Sequence, residues 1–104
     1  MRQVLIRTRE LIEQGWCRNA WAKDKNGKVV DRMSNKACKF CLGGAFLRAR
    51  DELNAPFELI DLEKRVLKIW ARGTLSFNDA YGRLKQEVIA LLDRLINESD
   101  SNQS

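Results

Sequence analysis

Apolar residues recur at three- and four-residue steps in separate stretches of the chain, and these stretches predict four helices. In residues 2–15, Val4, Thr8, Leu11, Ile12 and Gly15 fall on one side while Arg2, Arg9 and Glu13 lie on another, with Gly15 as the expected stop. A second helix is expected from a Ser34 or Asn35 cap to about Leu53, and its middle, Ala37 to Leu47, is apolar on nearly every side. Asn54-Ala55-Pro56 breaks the chain. A third helix then runs from Phe57 or Asp61 to Arg72, with Leu59, Leu62, Val66 and Ile69 inward, Trp70 at the edge and Gly73 closing it. Ser76 is the expected N-cap of a fourth helix that reaches Asn97, with Leu75 and Ala80 as its staple. Tyr81, Leu84, Val88, Leu91 and Leu95 form one stripe of that helix, and Ile89, Leu92 and Ile96 form a second beside it. So wide a face packs on two elements, both in this chain or one in a second copy, so a homodimer through the last helix is one expected arrangement.

Between the first two helices the pattern changes. Asn26-Gly27 is the preferred pair of a two-residue hairpin turn, because both turn positions need positive φ. A short hairpin is therefore expected, with Trp21 and Val29 or Val30 as apolar pegs, leaning on the helices because a lone hairpin is marginal. The expected fold is mainly α: one domain over residues 1–97, four helices and one hairpin, then a disordered polar tail over 98–104.

Composition narrows the chemistry. The chain has 104 residues, 44% of them hydrophobic, and no histidine. That removes the usual general base and every Ser-His or Cys-His nucleophile pair. Cys38-x-x-Cys41, with Cys17, resembles half a metal or redox motif, but no histidine completes a zinc set and no strand precedes a redox helix. Buried thiols are expected instead, inside the second helix. Gly43-Gly44 lacks the Lys-Ser/Thr of a phosphate loop, so close approach of a neighbouring helix or an aromatic ring is the expected reason for it. Asn78-Asp79 is expected to cap a helix rather than perform chemistry. No cofactor is implied, and the protein is read as non-catalytic.

Charge is polarised. Residues 1–50 hold twelve Lys/Arg against four Asp/Glu, while residues 51–104 hold seven against ten. The first half therefore carries the net +5 and more. Arg7, Arg9, Arg18, Lys23, Lys25 and Lys28 are the expected contact residues, with Lys36 and Lys39 second. The longest uncharged run in the middle of the chain, Phe40–Leu47, has eight residues. That is far short of the ~20 a span needs. An odd cysteine count and a charged first segment predict reduced thiols and a cytoplasmic setting.

Several short motifs, Gly15-Trp16, the turn at Asn26-Gly27, Ala37 through Phe40-Cys41 to Gly44-Ala45, Phe77-Asn78-Asp79, and Val88 through Leu91-Leu92, occur in this order. In them the chain resembles a family of small uncharacterised proteins of bacteria and their phages over roughly residues 3–97. The resemblance implies a mobile-element context. By analogy it implies a phage-encoded inhibitor of a bacterial defence complex (anti-CRISPR-like) that acts by contact with a host or phage protein assembly. The competing reading is a nucleic-acid-binding accessory protein that uses the basic first half.

Overall fold

The computed structural model describes the backbone of residues 1–103 and the side chains of residues 1–99. It is mainly helical, with five helices and a two-stranded antiparallel sheet. The order is α1 (Arg2–Gln14), β1 (Ala22–Lys23), β2 (Lys39–Phe40), α2 (Leu42–Glu52), α3 (Leu59–Leu67), α4 (Thr74–Asp79) and α5 (Lys85–Gln103). Helix α1 buries Val4, Leu5, Thr8, Leu11 and Ile12, and its main packing partners are α2 and α5. The short α4 packs on α2 and α3. Both apolar stripes of α5, from Val88 to Ile96, are buried in the same core cluster, so the width of its apolar face is accounted for within one copy. The helix takes in most of the segment expected as a polar tail; side chains beyond Ser99, and all of Ser104, lie outside the described residues.

The apolar run 37–47 is not one helix. Its first part is extended and enclosed between two neighbours: Phe40 N–H donates to Gly15 O and Cys17 N–H to Phe40 O on one side, while Cys41 N–H donates to Trp21 O on the other. Helix α2 begins only at Leu42, with Cys41 as its N-cap. An unbroken apolar run has no period, so an enclosed strand and an enclosed helix read alike in it. Gly15 does end α1, but its backbone is extended (φ −176°), not left-handed. A side chain there would collide with the Cys38 carbonyl, and this close strand approach is what requires glycine.

The expected last helix is also divided. Gly73, at φ +90°, is the N-cap of α4, and Glu63 accepts the Thr74 N–H at 2.8 Å. The chain breaks again after Asp79, and Gly82 adopts φ +75°. In this break the Arg83 guanidinium lies over the Phe77 ring at 3.9 Å and donates to Phe77 O at 2.8 Å. Helix α5 then starts with Glu87 accepting the Leu84 N–H. Ser76 is therefore not a cap, and Leu75, Tyr81 and Leu84 are exposed rather than stapled or striped into the core. Helix α3 ends at Leu67, short of Arg72; Glu58 and Asp61 form a capping box at its start.

One side chain fastens the non-helical segment to the helices. Asn78, fully buried on α4, accepts from Trp16 Nε1 at 2.7 Å and from Leu42 N–H at 2.9 Å. Its amide nitrogen donates to Cys17 O at 3.1 Å and to Asp79 Oδ1 at 2.8 Å. All four hydrogen-bonding positions of the carboxamide are used. Leu42 N–H is an orphan donor of the α2 first turn, so the same residue also caps that helix from a distance. Replacing Asn78 by Ala leaves these buried groups unpaired and is expected to cost about 3 kcal/mol in urea unfolding, at roughly 1–3 kcal/mol per unsatisfied group. The exposed Asn35→Ala is expected to stay within about 0.5 kcal/mol. An Asn78→Ala loss below about 1 kcal/mol at unchanged m-value would contradict this role for the side chain.

Candidate partner-binding surface

The segment between α1 and α2 is built on a turn. Asp24 Oδ1 accepts from the N–H groups of Asn26 and Lys28 at 2.9 Å each, Gly27 N–H donates to Asp24 O, and Asp24 N–H donates to Lys28 O. Of the two turn residues only Gly27 has positive φ, at +83°, so Asn26-Gly27 does not form the expected two-residue turn. The geometry is that of a longer loop closed by one left-handed glycine. The main pairing of β1 is with β2 beyond it: Ala22 faces Phe40 and Lys23 faces Lys39. Val29 makes a single bridge to Lys23 and is exposed, so it is not an apolar peg; Val30 packs on the core, and Trp21, though 40% exposed, lays its ring against Gly43 of α2.

The contact residues expected from sequence divide into two groups. The arginines are engaged inside the chain. Arg7 pairs with Glu52 at 2.7 Å and with Glu10, and Arg9 pairs with Asp93 at 2.6 Å and with Glu13. Both therefore face neighbouring helices and do not join the turn. The Arg7 partnership holds the Glu52 carboxyl below its ordinary range, chiefly through their hydrogen bond. Arg18 donates at 2.6 Å to both Asp79 O and Ala80 O, closing the carbonyl end of α4.

The lysines are different. Lys23, Lys25, Lys28, Lys36 and Lys39 make no ion pair among the described residues, and Lys25, Lys28 and Lys36 are exposed. Lys23 and Lys39 stand directly opposite each other across the ladder, a like-charge juxtaposition that weakens a sheet. Together with Trp16 and Arg18 they line a depression of about 370 Å³. Lys25 and Lys36 line another, of about 460 Å³, with Cys38.

Sequence reasoning missed a third feature. Trp21, Ala20 and Leu75 share an apolar depression of about 330 Å³ that has Cys41, Asn19 and Asp79 in its lining. The Trp21 ring rests against Gly43, where an added Cβ would come within 2.6 Å of it, and the Trp21 carbonyl occupies the space of a side chain at Gly44. The ring is thus what Gly43 accommodates, as expected from sequence, while Gly44 makes room for the Trp21 backbone. The exposure of Leu75 could not be read from the pattern, in which it pairs with Ala80 as a helix staple.

All three thiols are free; Cys17 and Cys41 are buried and Cys38 half-buried. Cys38 and Cys41 lie before α2 rather than inside it. Among the described residues no group of three His, Cys, Asp or Glu side chains is placed to hold a metal ion. Cys41 Sγ accepts the Gly44 N–H at 3.2 Å, yet burial dominates and pushes its pKa from 9.0 up to about 11; burial also raises Cys17. An unfolded Cys41 ionises first, so the stability this thiol contributes is present below pH 9 and is lost as pH rises toward about 11. Urea midpoints are expected to fall across that interval in the parent protein and less in Cys41→Ala; equal slopes would contradict the assignment.

The comparisons add the family alone. A family model described as a family of unknown function, DUF6197, matches residues 1–98. No curated protein and no solved structure matches the chain. No helix among the described residues is long and apolar enough to cross a membrane. With nearly its whole length matched, the chain belongs to the family of unknown function DUF6197.

Proposed function

We propose that this protein is a non-catalytic binding module that docks on an acidic surface of a partner protein through its lysine-bearing hairpin. The observation that carries the reading is the Lys23–Lys39 pair: two lysines at directly opposed ladder positions, with no ion-pair partner among the described residues. Like charges at opposed ladder positions weaken a sheet, and a carboxylate-bearing surface docked on them offsets that cost. The arginines, with their fixed forks, are used to hold the fold, while the flexible lysines face outward. The partner class we favour is a bacterial defence assembly blocked by a phage-encoded protein in the cytoplasm. That choice rests on the motif resemblance and not on geometry.

A phosphate backbone is the competing acidic surface, favoured by Trp16 lying beside Lys23, Lys39 and Arg18. The Trp16 ring is half-buried and its N–H is held by Asn78, which leaves little of it for stacking on a base. Affinity purification from a bacterial host, with and without nuclease, separates the two. A stoichiometric protein partner is expected to survive nuclease and to fall by roughly tenfold or more, ~1.4 kcal/mol, in Lys23→Glu/Lys39→Glu. Recovery of no partner, or undiminished recovery by the double variant, would contradict the proposal. Capture that disappears with nuclease, together with steeply salt-dependent binding to plain oligonucleotides, would establish the competing reading.

A further inference from the structure

We infer that two adjoining depressions, one between the hairpin and α4 and one on the hairpin itself, form a two-part receptor for an acidic peptide segment bearing one large apolar side chain. The inference rests on the binding role proposed above and names the chemistry of the partner. Two depressions meet at Asn19: an apolar one carrying Trp21 and Leu75, and a cationic one carrying Lys23, Lys39 and Arg18. Trp21 is 40% exposed and Leu75 51%, and the two lie together in one depression. Trp21 is also held in place. Its ring is backed by Gly43 and its carbonyl accepts the Cys41 N–H at 3.2 Å, so it presents a fixed surface. A rigid aromatic anchor beside a pocket, rimmed by charge, is the arrangement of an interface hot spot.

The junction residue is constrained as well. Asn19 adopts φ +65°, an uncommon conformation outside glycine, and its N–H donates to Asp79 Oδ1 at 3.2 Å. The same Asp79 oxygen also accepts from Asn78, so the one carboxylate lining the apolar slot is already engaged within the chain. The size of that slot, about 330 Å³, suits one side chain and is at the lower limit for a cofactor. No lysine or arginine lines it, so it offers nothing to a phosphate; the cations lie next door. Charge complementarity therefore selects a segment in which aspartate or glutamate flanks an aromatic or aliphatic anchor, with the anchor against Trp21 and Leu75 and the carboxylates against Lys23 and Lys39.

The test is selection from a random-peptide display library on the immobilised full chain. Affinities of the enriched peptides are then measured by titration of the intrinsic tryptophan fluorescence. Enriched sequences are expected to combine acidic residues with one adjacent Trp, Phe or Leu. Leu75→Ala, an exposed change, is expected to keep the thermal midpoint and weaken binding roughly tenfold, and Lys23→Glu/Lys39→Glu to do so independently. Absence of a consensus, or a consensus lacking either acids or the apolar residue, would overturn the two-part receptor. If Leu75→Ala binds normally while the lysine variant does not, the apolar slot is refuted and the basic docking surface stands. If neither variant matters, both fall.

Discussion

The buried carboxamide of Asn78 is the contact on which the rest of this fold depends. Helices α1, α2 and α5 supply most of the buried apolar side chains, but twenty-seven residues lie between Gln14 and Leu42 with only two short strands among them. A two-stranded sheet of that size has little independent stability. Asn78 supplies what it lacks by binding Trp16 and Cys17 on one side and the first turn of α2 on the other. Asp79 and the adjacent carbonyls extend the same seam to Asn19 and Arg18. The hairpin is thereby fixed at its base, with Lys23 and Lys39 half-buried on the ladder and Lys25, Lys28 and Lys36 exposed beyond it.

This arrangement separates two uses of positive charge. Arg7, Arg9, Arg48 and Arg50 each face a carboxylate of the chain, and Arg83 covers the rings of Phe77 and Trp70. These side chains join helices and turns, with their stems covering apolar surface. The hairpin lysines have no such partners among the described residues. A ladder that sets Lys23 against Lys39 is weaker than one with an acid in either place, and a binding surface gives that placement a reason.

The sequence made some of this legible and concealed the rest for identifiable reasons. Helix α1 and the later part of α5 carry clear three- and four-residue periods, and the pattern indicates their buried residues except Leu5, which is fully buried beside the expected stripe. The enclosed run 37–47 carries no period, so nothing in it separates the strand at Lys39–Phe40 from the helix that follows. The break after Asp79, with Gly82 at positive φ and Arg83 over the Phe77 and Trp70 rings, divides the segment whose pattern reads as one helix from Ser76 to Asn97. At the candidate site, the cationic residues were visible but their partners were not: Arg7 meets an acid 45 positions away and Arg9 one 84 positions away. Sequence proximity therefore grouped Arg7 and Arg9 with lysines they do not join. The Trp21–Leu75 slot left half a signal, the glycine pair awaiting an aromatic ring.

Hydrogen exchange at two specific groups tests most directly whether Asn78 locks the hairpin to the helices. The Trp16 indole N–H and the Leu42 amide share its carbonyl oxygen. If that contact opens only when the domain unfolds, both protons exchange with the same protection as the α1 core amides, such as that of Leu11. If the Trp16 indole proton instead exchanges orders of magnitude faster than those amides, the hairpin detaches on its own and the lysine surface is not held in place by Asn78.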